Sequence, residues 1–179
     1  SQLAKDKVLE LGRLVTKYSG KMTVNVVSFT EIQEAIRDNC PEEYFTIIMR
    51  RLMMKIANRI CEQKDYKALI TGESVGQVAS QTIMALACTD KASDVPVFRP
   101  VIGMDKKEIV EIARRIDTFE TSILPYEDCC TVFTPKHPKT RPELEKVLAE
   151  EAKMDFASLE DKAFANLRIR EIRRAIDNA

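Results

Sequence analysis

Residues 67–81, KALITGESVGQVASQ, decide how this 179-residue chain is read. Lys67 to Thr71 is a short apolar run closed by Gly72, the pattern of a buried strand. The small-residue stretch from Ser74 to Ala87 then reads as a helix. At a strand end, Gly72 lets a ligand or another backbone come close. Gly76, Ala79 and Ser80 let the helix pack tightly, and a helix start offers N–H groups to an anion or nucleotide. The same glycines also suit a plain strand-to-helix turn, and residue chemistry alone leaves both readings open.

Working outward, the same alternation recurs. Toward the N-terminus, Val8, Leu11, Leu14, Val15 and Tyr18 have helical spacing, and Gly20 ends the pattern. Met22 to Phe29 is β-branched and reads as a strand. Thr30 to Gln33 has the capping-box pattern and predicts a short helix to Asn39. After Pro41, a long helix is expected over 43–63, with a stripe of Ile47, Ile48, Leu52, Met53, Ile56 and Ile60. Toward the C-terminus, 95–101 holds a strand interrupted by Pro96 and Pro100, and 106–116 a helix capped by Asp105. Strands and helices alternating at this spacing predict an α/β fold, with a parallel sheet covered on both faces by helices. Ligands in such sheets bind beyond the carboxyl ends of the strands, here Ser28–Phe29, Thr71–Ser74 and the loop after Arg99. Beyond Ile116 the periodicity fails through Arg141, and a long irregular stretch points to function or mobility. Helices are expected again over 143–155 and 158–177.

Composition narrows the class. With 45% hydrophobic residues and no linker tract, one compact unit is expected. The 28 basic residues balance 28 acidic ones, so bulk charge names no nucleic-acid partner. No apolar run approaches a membrane span, and the odd count of five cysteines suits free thiols in a reducing cytoplasm.

Two further clusters could carry chemistry. Arg50, Arg51 and Lys55 sit close together on the long helix, either as a phosphate- or base-binding group or as a solvated basic face. Cys129 and Cys130 are adjacent in a polar loop, PYEDCCTVFTPKHP (125–138), which is unusual for packing thiols. Lys136, His137 and Lys139 favour thiolate there, while Glu127 and Asp128 oppose it. A zinc site lacks the second Cys/His pair that would complete its shell, so no metal ligands are assigned. His137, the only histidine, reads as a surface residue between two prolines, and no serine elbow supports a hydrolase triad.

Taken together, TGESVGQVASQ (71–81), RPVIGMDKKEIVEIARRI (99–116) and SILPYEDCCTVFTPKHPKTRPE (122–143) closely resemble the 4-thiouridine synthetase family of tRNA sulfurtransferases. MRRLMMKI (49–56) and the opening SQLAKDKV (1–8) resemble the family's preceding segments. The resemblance implies a Rossmann-like, adenine-nucleotide α-hydrolase-type domain over 1–157, with a helical tail over 158–179. It implies an enzyme that uses ATP and Mg2+ to adenylate a tRNA uridine. Sulfur from a persulfide, supplied by a cysteine desulfurase or another donor, then displaces AMP. In many members the same relay serves thiamine thiazole synthesis. Arg50, Gly72 and Gln81 match the family's nucleotide-contacting positions. The family's catalytic cysteine falls at Cys129 or Cys130: ungapped counting from Gln81 favours Cys129, the residues that follow favour Cys130, and Cys129 is narrowly preferred.

The family's Ser-Gly-Gly-x-Asp-Ser phosphate loop would lie upstream of Ser1. The chain is therefore expected to be an N-terminally truncated fragment, inactive alone, whose uncovered sheet edge could pair with a second copy. Lys136, Lys139, Arg141 and the run Arg168 to Arg174 are local candidates for tRNA contact, although the run is read in preference as a solvated helix end interacting with its dipole. Two alternatives compete: an ATP pyrophosphatase acting on another acceptor, against which the paired thiols argue, and a non-catalytic interaction domain that kept the fold.

Overall fold

The computed structural model describes residues 2–78, 81–126 and 135–173. Contacts divide the chain into two compact units, one of residues 1–28, 106–132 and 163–179, the other of residues 29–105 and 133–162. Both are assembled from segments that leave and return, so composition along the chain marks no boundary between them.

In the first unit, α1 (Gln2–Ser19) ends where Gly20 takes φ 74° and donates its N–H to the Thr16 carbonyl at 2.8 Å. That left-handed conformation is the one glycine adopts without penalty. β1 (Lys21–Val26) follows. It pairs antiparallel with β4 (Arg168–Arg173), in register from Lys21 opposite Arg173 to Val26 opposite Arg168. The helix expected over 158–177 is thus corrected within the described residues: α8 (Phe156–Ala165) stops at Ala165, and residues 168–173 form β4. Pairing with a strand far away in sequence overrides the local pattern. The basic run therefore begins on a strand, and for Arg168, Arg170 and Arg173 the helix-dipole explanation no longer applies. A Cβ placed on Gly12 of α1 would lie 2.9 Å from Ile172 Cδ1 and 3.3 Å from Met22 Sδ, so the helix rests close on the sheet there. α5 (Lys106–Arg115) and α6 (Phe119–Ser122) belong to the same unit, where Arg114 stacks 4.5 Å above the Phe119 ring.

The second unit is built around α3 (Phe45–Lys64), entered from α2 (Thr30–Asn39) through a 3-10 turn (Glu42–Tyr44). Ile32, Ile36, Ile48, Leu52 and Val147 are at most 1% exposed and form its core. Each fully buried side chain of this kind contributes about 1.5–3 kcal/mol. Met53 and Ile60 of the expected stripe are only half-buried, whereas Met54 is buried, because α3 packs on more than one side. The capping box does not form: α2 begins after Phe29 without a side-chain cap, and Gln33 turns inward to Met49 Sδ, 3.8 Å away.

β2 (Leu69–Ile70) and β3 (Val97–Phe98) run parallel, as expected, with Ile70 opposite Phe98. The intervening helix α4 (Ile83–Asp90) starts well beyond the expected Ser74. Gly76 at φ 80° turns the chain instead, and Val75 N–H bonds to the Ile102 carbonyl at 3.0 Å, holding 71–78 as a loop. α7 (Leu144–Glu151) packs against α3.

Arg51 is 2% exposed. Its Nε donates to Glu151 Oε2 at 2.8 Å, another of its nitrogens donates to the Cys88 carbonyl, and Lys55 also pairs with Glu151. The solvated-face reading of this helix therefore fails at Arg51, whose buried charge is satisfied by a carboxylate and a carbonyl.

Candidate functional site at the parallel strand ends

β2 and β3 aim their carboxyl ends at one set of polar groups in the second unit. Thr71 N–H bonds to the Phe98 carbonyl at 3.0 Å and continues the pairing one step, after which Gly72, Glu73 and Ser74 turn away. Among the described residues, nothing lies within 4 Å of where a Gly72 Cβ would sit, so this strand end is open to them on that side.

Glu73, next to it, is buried at 6% exposure and works as a hub. Its Oε2 accepts from Arg99 Nε at 2.6 Å and from Thr71 Oγ1 at 2.8 Å, while Oε1 pairs with Arg50 from α3. Arg99 also pairs with Asp90 at the end of α4. One carboxylate thus sets two guanidiniums at the strand ends, and such charge-assisted bonds fix their planes. Arg50 is held by Glu73, so it presents an oriented donor group in place of a freely moving charge.

Gln81 closes the loop. Its Oε1 accepts from Ser74 N–H at 3.0 Å, and its carbonyl accepts from Gly76 N–H at 3.1 Å. Ser74 Oγ donates to the Met104 carbonyl at 2.7 Å, which ties the loop to the stretch after β3. Arg50, Gly72 and Gln81, separated in sequence, are therefore joined through Glu73 and Ser74. The helix-start reading changes, because Thr82 caps α4 through Ala85 N–H at 3.1 Å, and the loop carries the exposed backbone.

Sequence reasoning missed Glu73 and Arg99 as partners. The available signal was a carboxylate directly after a strand-end glycine, with an arginine just past the next strand.

Cys129 and Cys130 lie outside the described residues. Among the described residues, Cys40, Cys61 and Cys88 are free thiols, the first half-buried and the others buried. Burial, then the neighbouring Glu150 carboxylate, pushes the Cys40 thiol above its ordinary pKa. Burial likewise raises Cys88, against a weaker opposite pull from Arg51. Both are protonated at neutral pH and poor nucleophiles. Among the described residues no group of three or more His, Cys, Asp or Glu could hold a metal ion, and no helix is long and apolar enough to cross a membrane.

Comparison with known proteins places this geometry among relatives. Residues 1–156 match the family model described as thiamine biosynthesis protein (ThiI). The chain is 55% identical over 163 residues to a probable tRNA sulfurtransferase of Clostridium perfringens, covering 91% of this chain and 42% of the relative. It is 53% identical over 174 residues to one of Acetivibrio thermocellus, covering 97% and 44%. A crystal structure of a 4-thiouridine synthetase–RNA complex with bound ATP superimposes with a TM-score of 0.90 at 38% identity, covering 95% of this chain and 45% of that one. The chain thus spans less than half the length of these relatives. The structural match and the parallel β2–β3 pair agree with the α/β class read from the sequence.

Proposed function

The chain belongs to the thiamine biosynthesis protein (ThiI) family, and on that premise we propose that it forms much of the catalytic domain of an ATP-dependent tRNA sulfurtransferase that makes 4-thiouridine. The observation that carries the reading is the open side of Gly72 at a parallel strand end, flanked by Arg50 and Gln81 through Glu73 and Ser74. A solved relative of the same fold binds ATP and RNA.

In this proposal residues 1–157 make up the nucleotide-binding domain. The absent side chain of Gly72 leaves room for the base or ribose. Gln81 spends its carbonyl oxygen on Ser74 N–H, so its amide nitrogen is the end turned to a ligand. Arg50, kept in plane by Glu73, supplies a charged donor. ATP supplies the leaving group: the uridine carbonyl oxygen takes the adenylyl group, pyrophosphate departs, and AMP is then displaced by sulfur. Mg2+ would arrive on the nucleotide's phosphates, as magnesium usually does in such sites.

Cys129 or Cys130 carries the persulfide received from a cysteine desulfurase or another donor; its outer sulfur displaces AMP from the tRNA uridine, and a second thiol then cleaves the new S–S bond, releasing 4-thiouridine and leaving a disulfide. Burial raises the pKa values of Cys40 and Cys88, so neither offers a ready thiolate at neutral pH. Delivery of the same sulfur to thiazole synthesis belongs to the proposal too.

The test uses a polypeptide of the relatives' full length carrying this sequence. Replacing both Cys129 and Cys130 by serine is expected to abolish 4-thiouridine while ATP-dependent pyrophosphate release persists. Arg50→Ala or Gln81→Ala is expected to lower both. Normal 4-thiouridine in the double-serine protein would remove the thiol assignment, and ATP turnover unaffected by Arg50→Ala and Gln81→Ala would remove the nucleotide assignment.

A further inference from the structure

The arginines of β4 have no task in the nucleotide reading above. The strand carries Arg168, Arg170 and Arg173, its partner β1 carries Lys21, and Glu171 is the sole carboxylate on the two strands. All five of these residues are exposed.

Local stability does not account for so much positive charge. Lys21 stands directly opposite Arg173, and like charges facing each other across a ladder weaken it. Arg173 Nη2 lies 3.4 Å from Glu171 Oε2, but the two side chains are 80% and 69% exposed, so the pair contributes little. Alternation along β4 puts Arg168 and Arg170 on the side of Ile172, which is the side that α1 covers. Arg170 borders a groove there with Asp6, Glu10 and Arg13. The acids of that groove are engaged elsewhere: Glu10 accepts from Arg13 Nη2 at 2.6 Å, and Asp6 accepts from the Gln2 amide at 2.8 Å. Among the described residues, no side-chain hydrogen bond or ion pair engages Lys21, Arg168 or Arg170.

Such a ribbon fits a polyanion whose charges repeat along a chain. Residues two apart on a strand project about 7 Å from one another on the same side, so Arg168 and Arg170 can each take a separate phosphate. A planar guanidinium donates two parallel hydrogen bonds to a phosphate, which adds direction to the attraction. Neither strand carries an aromatic side chain on which a base could stack, so the contact is to backbone and carries no sequence preference.

We infer that the exposed β1–β4 ribbon is a contact surface for the phosphate backbone of RNA, with Arg168 and Arg170 as its anchors. The inference rests on the reading in which tRNA is the substrate, and it adds where the first unit holds that RNA.

The test measures binding of unmodified tRNA to the full-length polypeptide over a range of KCl concentrations. Replacing Arg168 and Arg170 together by glutamine should flatten the slope of log K against log[KCl] by about 1.4–1.8, the value of two lost phosphate contacts. Affinity near about 0.1 M KCl should fall about 10- to 60-fold. Replacing the same two residues by lysine keeps both charges and should keep the slope, which separates lost charge from a disturbed fold. Glu171→Gln removes the ribbon's carboxylate and should tighten binding about twofold. A slope unchanged in the glutamine variant, or one that flattens equally in the lysine variant, would overturn the surface, as would weaker binding in Glu171→Gln. An unsubstituted protein that binds tRNA but makes no 4-thiouridine would count against the sulfurtransferase reading, and the slopes would still decide whether this ribbon holds RNA.

Discussion

β1 and β4 pair over six residues with α1 laid against one face, whereas β2 and β3 pair over only two. In the longer pair Ile172 and Met22 press so close to α1 that only glycine fits at position 12 without displacement. In the shorter pair Ile70 is 73% exposed and Phe98 58%, and order at the strand ends comes from Glu73, Arg50 and Arg99. The first arrangement draws on ladder and packing. The second draws on charged hydrogen bonds, and leaves open the side at which a ligand can approach.

Breaking an ionic joint in the second unit is expected to have the largest effect. Glu151→Ala would leave Arg51 buried without its carboxylate, and removing one partner of such a pair costs about 3–5 kcal/mol. Urea unfolding of the variant should show that loss, with amide protection falling first in α3 and α7. A midpoint unchanged from the parent would mean that the pair contributes nothing net. In the first unit, Gly12→Val should cost about 1–3 kcal/mol by overpacking against Ile172 and Met22. Restoring stability with Ile172→Ala in the same protein would identify that contact as the cause.

The difference between the regions also explains what could be read from the residues. Helices with strong periodicity, such as α1, α3 and α5, emerged within a few positions of their observed ends. The parallel β2–β3 pair was legible because an apolar run ending in glycine keeps its meaning locally. β4 was not, because Arg168 to Arg173 becomes a strand through a partner almost 150 positions earlier, and no local window contains Lys21 to Val26. At the site, Arg50, Gly72 and Gln81 came from matching motifs. The carboxylate that joins Arg50 to Arg99 did not, since which way a helical arginine points is settled by tertiary packing. Arg51 illustrates the same limit, lying one residue further along α3 and buried against α7.

A smaller effect concerns the thiols. Burial raises the pKa values of Cys40 and Cys88, so their thiolates appear only at a pH above the ordinary cysteine range. Alkylation at pH 7 should therefore be slower at both than in the urea-unfolded chain, and should accelerate as pH rises. Equal rates in folded and unfolded protein would contradict the burial argument.

The smallest expected change in stability accompanies the most direct test of the nucleotide site. A Cβ at Gly72 meets no atom of the described residues within 4 Å, so Gly72→Val should shift folding stability by no more than about 0.5 kcal/mol. In the full-length polypeptide, ATP affinity measured by calorimetry should nevertheless fall at least about tenfold, a loss of about 1.4 kcal/mol, because the added methyls occupy the space assigned to the nucleotide. Unchanged ATP affinity in a folded Gly72→Val protein would show that the nucleotide lies elsewhere.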